Sequence, residues 1–108
     1  MSDKRPVVVY GASGFSARLV IEFLREYGVP FVAAGRNLGK IEDVLSHVPG
    51  IGTADYEIVQ VDHDVDSLAK LLEGARVVCN TVGPCIYYAS TVVEAALKAG
   101  CLYIDSGG

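Results

Sequence analysis

The stretch from Val7 to Leu24 restricts the fold of this chain more than any other part of it. An apolar run, Val7-Val8-Val9-Tyr10, leads into Gly11-Ala12-Ser13-Gly14-Phe15-Ser16-Ala17 and then into residues of helical period. It reads as a strand, a glycine turn and a helix whose N-terminus faces the strand end. Such a junction offers free backbone N–H groups and the positive end of a helix dipole, which suits a pyrophosphate. A strand apolar on both faces belongs in the middle of a parallel sheet covered above and below by helices.

The rest of the chain repeats the alternation. Helix one is expected over about 15–27, with Leu19, Phe23 and Tyr27 on one stripe, Val20 and Leu24 beside it, and Gly28 as the stop. Strand two spans Phe31 to Ala34. Asn37 is placed to cap helix two, where Ile41, Val44, Leu45 and Val48 follow amphipathic spacing until Pro49-Gly50. Strand three covers about 57–61. Helix three starts near Asp64 or Asp66, buries Leu68, Leu71 and Leu72, and stops at Gly74. Strand four runs from Arg76 to Val82 and breaks at Gly83-Pro84. Helix four covers about 88–98 with Gly100 as its cap, and strand five is Cys101 to Asp105. Residues 1–6 read as a frayed lead.

Five strands alternating with four helices through short turns predict right-handed crossovers. The fold class is α/β: a Rossmann-like doubly wound parallel sheet of order 3-2-1-4-5, helices on both faces, in one domain over 1–108. The ligand crevice then lies above the C-terminal strand ends, at the switch between strands one and four.

Charge and composition exclude several classes. The net charge is −4, and the nine basic residues are scattered, which argues against a nucleic-acid or anionic-membrane surface. No run is long enough for a membrane span and residues 1–6 are too polar for a signal peptide, so the expected location is the cytoplasm. Cys79, Cys85 and Cys101 form no CxxC pair and read as thiols, not as disulfide or zinc ligands. No metal site is expected.

Gly11, Gly14 and Ala17 give GxxGxxA in place of the commoner GxGxxG. Gly11 permits the tight turn, Gly14 lets a pyrophosphate approach the backbone, and Ala17 lets the helix lie close to the sheet. Ser13 and Ser16 add hydroxyls or simply cap the helix. Where NAD-preferring domains carry an acid at the end of strand two, this chain has Arg36, with Lys40 a turn later. A guanidinium there favours a 2′-phosphate, and hence NADP over NAD. The run Gly35-Arg36-Asn37-Leu38-Gly39-Lys40 is one residue short of a P-loop, and Ile41 stands where Ser or Thr is required. Asp62 is either an adenine acceptor or a plain turn carboxylate. Val82, Gly83 and Pro84, above Asn80 and Thr81, fall where a nicotinamide ribose would sit, and Cys85, Tyr87 or Tyr88 line that crevice or pack under the helix. His47 and His63 read as surface histidines with no adjacent nucleophile. No Tyr is followed four residues later by Lys, so the acid–base pair of short-chain dehydrogenases is absent, and catalytic residues stay unassigned.

Val-Val-Tyr-Gly-Ala-Ser-Gly-Phe at 8–15, Ala-Gly-Arg-Asn at 34–37, Val-Gly-Pro at 82–84 and Tyr103-Ile104-Asp105 together resemble the saccharopine dehydrogenase-like reductases, which include saccharopine reductases and trans-acting enoyl reductases. The resemblance covers nearly the whole chain, although Ser16-Ala17 replaces the family's frequent Thr-Gly. It implies an NADP-binding Rossmann domain: pyrophosphate at Gly11, Ala12, Ser13, Gly14 and Phe15, the 2′-phosphate near Arg36 and Lys40, and nicotinamide near Gly83 and Pro84, with Asn37 a further cofactor-binding candidate. Family chains are much longer, so the expected role is the N-terminal cofactor domain of an oxidoreductase. Its small-molecule substrate is then held by a further domain. A non-catalytic dinucleotide sensor is the alternative. With strand five at the sheet edge, a homodimer through that edge is a further expectation.

Overall fold

The computed structural model describes residues 5–12, 15–81 and 86–105; at residues 15, 16, 86–88 and 105 it describes the backbone alone. The elements follow in the order β1 (Val7–Tyr10), α1 (Phe15–Glu26), β2 (Phe31–Gly35), α2 (Leu38–Ser46), a 3-10 turn (Ile51–Thr53), β3 (Tyr56–Gln60), α3 (Val65–Leu72), β4 (Val77–Asn80), α4 (Ile86–Ala99) and β5 (Leu102–Asp105). All strand pairs are parallel and the order is β3-β2-β1-β4-β5. Tyr10 stands in register with Ala34 on one side and Asn80 on the other, so β1 and β4 finish level and β2 runs one residue further, to Gly35.

Alternation along the strands divides the core in two. Val8, Tyr10, Val32, Ala34 and Val78 pack with Leu68 and Leu72 of α3 and with Val92, Ala95 and Ala96 of α4. On the other face Val9, Phe31 and Ala33 pack with Ala17 and Ile21 of α1 and with Ile41 and Leu45 of α2. Burial of both faces explains why β1 and β2 are apolar without a break.

The caps are the expected ones. The Asn37 side chain accepts the Lys40 N–H at 3.0 Å, and Asp64, rather than Asp66, caps α3 through the Ser67 N–H at 2.8 Å. Gly28 ends α1 at φ 68°, with the Val29 N–H on the Leu24 carbonyl and the Gly28 N–H on that of Arg25. That is the paired bonding of a left-handed glycine stop.

Several boundaries shift. β2 gains Gly35, β3 begins at Tyr56, β4 is shorter than 76–82, α4 begins at Ile86 and β5 begins at Leu102. Strand length is set here by ladder partners, which a single strand's composition does not reveal. Residues 5 and 6 are not frayed: Arg5 pairs with Asp55 at 2.8 Å and with Glu57 at 3.3 Å, and the Pro6 carbonyl accepts the Arg76 and Val77 N–H groups.

The stripe on α1 is the larger correction. Leu19, Phe23 and Tyr27 are exposed at 45%, 60% and 74%, whereas Ala17 and Ile21 are fully buried. The apolar arc of α1 is wider than the strip that meets β1, and the small residue at 17 sets which side touches the sheet.

Candidate functional site

The turn after β1 is held from both flanks. Gly11 adopts φ 80°, the left-handed region that favours glycine. The N–H groups of Gly11 and Ala12 both point back to the Ala34 carbonyl of β2, at 2.9 and 3.1 Å. From β4, the Thr81 N–H donates to the Tyr10 carbonyl at 2.9 Å. The Thr81 hydroxyl lies 2.6 Å from that same oxygen and 2.9 Å from the Gly11 carbonyl. Ala12 and Ala17 are fully buried. Ser13 and Gly14 lie outside the described residues. Phe15 and Ser16 form the start of α1, which brings a helix N-terminus to the end of β1.

At the end of β2, a Cβ added to Gly35 would come within 3.2 Å of Ile41 Cδ1 and 3.8 Å of the Ala12 backbone nitrogen. The tight contact is with Ile41, so glycine here lets α2 pack close on the strand end, while the distance to Ala12 is ordinary contact. Arg36, Asn37 and Lys40 are all exposed. Asn37 is occupied as the helix cap. Among the described residues neither Arg36 nor Lys40 forms an ion pair. Two uncompensated cations at the C-terminal edge, one at each end of a helical turn, fit an anionic group such as a phosphate.

The end of β3 lies alongside. The Gln60 side chain donates to the Arg36 carbonyl at 3.4 Å, and the Val61 N–H to the Gly35 carbonyl at 2.9 Å. Asp62 is exposed. His63 is not the free surface residue its sequence context suggests: it is half-buried, its ring stacks on Tyr10 with centroids 5.7 Å apart, and its Nδ1 bonds the Tyr10 hydroxyl. Burial and the nearby Arg36 guanidinium hold its pKa below the ordinary 6.5, and Asp64 offsets this in part. The Asp64 carboxyl is held low by the Ser67 backbone N–H and hydroxyl. His47 is exposed, as expected.

On the other side of the crevice Asn80 is buried and donates through Nδ2 to the Tyr103 hydroxyl at 3.0 Å, tying β4 to β5. Val82, Gly83, Pro84 and Cys85 lie outside the described residues, as do the side chains of Tyr87, Tyr88 and Asp105. Cys79 and Cys101 are buried, and burial pushes the Cys101 thiol up. Among the described residues no cluster of three or more His, Cys, Asp or Glu is gathered as for a metal. No helix there is long and apolar enough to cross a membrane.

Gly11, Ala12, Arg36, Lys40 and Asp62 are thus brought to one edge. Tyr10, His63, Thr81 and Tyr103, which the sequence reading left out of the site, join them there. The sequence carried one signal for part of this: Asn80 and Thr81 are polar residues ending an apolar strand, and buried polar groups need partners.

Residues 7–108 match the family model described as saccharopine dehydrogenase NADP binding domain. A lipid droplet localized protein of Caenorhabditis elegans is 36% identical over 94% of this chain and 26% of its own length. The human saccharopine dehydrogenase-like oxidoreductase is 32% identical over 99% of this chain and 29% of its own. A trans-acting enoyl reductase of Mycobacterium tuberculosis (strain ATCC 25618 / H37Rv) is 34% identical over 94% and 25%. The chain therefore spans about a quarter of the length of these relatives. Among solved structures, a UDP-glucose-4-epimerase of Stenotrophomonas maltophila with bound NAD superposes with a TM-score of 0.78 at 17% identity, over 94% of this chain and 36% of that one. AtPrR2 with NADP+ and (+)pinoresinol superposes with a TM-score of 0.72 at 17% identity, over 95% and 36%. The structural likenesses establish the Rossmann-type fold. The family match establishes that this chain belongs to the saccharopine dehydrogenase NADP binding domain family, and the cofactor of that family is NADP.

Proposed function

We propose that this chain is the cofactor-holding part of an NADP-dependent oxidoreductase and that it selects NADP over NAD through Arg36. The observation that carries the reading is the pair of exposed cations, Arg36 and Lys40, at the end of β2 with no carboxylate paired to either among the described residues. NADP, when bound, supplies or accepts the hydride. The protein's part is to bind and orient. The pyrophosphate is assigned to the segment Gly11 to Ser16; the Gly11 and Ala12 N–H groups are taken by the Ala34 carbonyl, so the donors to it fall to Ser13, Gly14, Phe15 and Ser16. Arg36 and Lys40 are assigned to the 2′-phosphate, and Asp62 to the adenine amino group. Asn37 acts indirectly, by fixing the first turn of α2. The nicotinamide end falls to the β4 side, at Val82, Gly83 and Pro84.

The residues that grip the substrate are proposed to lie outside these 108, because the relatives are about four times as long. The proposed location is the cytoplasm, with a lipid droplet surface as the competing one suggested by the name of one relative. Fractionation of the tagged protein separates these two.

Titration with NADPH and NADH tests the cofactor role directly. NADPH is expected to bind more tightly, and Arg36→Ala to reduce that preference by about tenfold or more, in line with ~1.5–3 kcal/mol for a charge-assisted hydrogen bond. Equal affinities for the two in the unsubstituted protein, or a preference unchanged in Arg36→Ala, would overturn it.

A further inference from the structure

We propose that His63 is a second cationic member of the 2′-phosphate site, taking up a proton as the phosphate docks beside Arg36 and so adding to the choice of NADP over NAD. This rests on the reading that Arg36 meets the 2′-phosphate, and it assigns a specificity role to a residue on a different strand end.

The placement comes first. His63 follows β3 by three residues, and β3 is the ladder partner of the strand that ends in Gly35-Arg36. The two chain ends are bound together by the Val61 and Gln60 hydrogen bonds to the Gly35 and Arg36 carbonyls. The ring is also fixed in place: stacking on buried Tyr10 and the Nδ1 bond to the Tyr10 hydroxyl hold it against the end of β1. That hydroxyl can donate to a neutral imidazole or accept from a protonated one, so the ring gains a proton without losing its anchor.

The charges around the ring favour uptake only when an anion arrives. The groups facing it include the Tyr10 hydroxyl from β1, Arg36 from the turn after β2, and Asp64 at the cap of α3, with exposed Asp62 next to it in the chain. Its Nε2 is buried, so its charge acts on the phosphate across space and not through an exposed N–H. Asp64 is committed to Ser67 through both carboxylate oxygens and offsets Arg36 only in part. In the free protein Arg36 and burial therefore keep His63 neutral near pH 7. A phosphate on Arg36 cancels that repulsion and adds an attraction of its own, which raises the affinity of His63 for a proton. By linkage, NADP affinity then increases as pH falls toward 6. The 2′-phosphate itself titrates near pH 6, so the contribution of His63 is read from differences between variants.

The experiment is isothermal titration of NADP+ and NAD+ into the 108-residue protein and into His63→Asn, His63→Lys and Arg36→Ala, from pH 6 to 8.5. Buffers of different ionisation enthalpy report the protons taken up on binding. The oxidised cofactors are used because they survive mild acid. His63→Asn keeps a hydrogen-bonding group near Tyr10 while removing the titration. It is expected to lower the NADP+/NAD+ affinity ratio at pH 6 by about three- to tenfold, as for one added charge at partly screened distance. The loss should shrink above pH 8, and the proton uptake specific to NADP+ should fall. His63→Lys is expected to hold the ratio high across the range, which also guards against a folding defect in His63→Asn. A ratio and an uptake unchanged in both His63 variants, while Arg36→Ala still collapses the ratio, would overturn the role of His63 and leave the cofactor reading standing. An unchanged ratio in Arg36→Ala would overturn both.

Discussion

Thr81 shows how much one hydroxyl holds at the residue scale. It has one proton and two carbonyls within reach, at Tyr10 and Gly11, and it ties the first turn to β4 from inside the sheet. Thr81→Val keeps the shape, removes the donor and is expected to cost about 1–2 kcal/mol, read from urea unfolding, with Thr81→Ser restoring most of it. His63 makes a second prediction, of stability against pH. Its folded-state pKa lies below the ordinary 6.5, so the unfolded chain binds more protons between the two values. The stability tied to neutral His63 is complete above about pH 6.5 and is lost as pH falls through the lower folded-state value. His63→Asn should flatten the melting temperature of the cofactor-free protein across that window. Below it, Asp64 adds a loss of its own as pH falls through its lowered pKa and the cap protonates. The identity of Arg36 and its position at a strand end were legible in the sequence. The partner of His63 was not, because Tyr10 and His63 stand 53 residues apart and meet only when β1 and β3 share a sheet.

At the scale of elements, helix caps were legible because a cap is a contact within four residues. Asn37→Ala is expected to cost about 1 kcal/mol through the lost bond to the Lys40 N–H, measured by thermal or urea unfolding. The α1 stripe was not legible. A helical period marks an apolar face but not which part of it meets the sheet, and here Leu19, Phe23 and Tyr27 stay outside. Arg25 reaches the segment after α2, near Gly50, so the stripe lies on the flank of α1 turned away from α2. Leu102 and Ile104 belong to the same side of the sheet, through their register with Val77 and Cys79, and are also exposed, at 72% and 54%. On that side α1 and α2 cover β1 and β2 and leave β5 open. An uncovered apolar edge recruits other chains. Leu102→Lys and Ile104→Lys are therefore expected to lower self-association at high concentration, read by light scattering. Equal masses for these variants and the unsubstituted protein would remove β5 as the contact.

For the whole molecule, the strand ends that converge on one edge come from β1, β2, β3 and β4, so a ligand seated there bridges segments from residue 10 to residue 81. Binding to the folded state alone stabilises it by mass action, about 2.7 kcal/mol at a hundredfold excess over the dissociation constant. For a domain of this size that raises the melting temperature by about 10 °C or more. NADP+ is expected to give this shift and NAD+ at equal concentration a smaller one. Identical shifts would contradict the proposed role of Arg36.

The sequence by itself determined the order of elements, the parallel sheet, the glycine turn after β1 and the cations after β2. All of these rest on local period, turn chemistry and residue identity. Val7-Val8-Val9-Tyr10 and Gly11 therefore announce the fold within a few residues. Only the tertiary structure decided that Thr81 fastens that turn, that Asn80 spends its amide on Tyr103, that His63 leans on Tyr10, and which side of α1 is buried. Each of these is a contact between segments distant in the chain. Their pairing depends on ladder register and on how closely Ala17 and Gly35 let neighbouring elements approach, quantities that no single stretch of sequence contains.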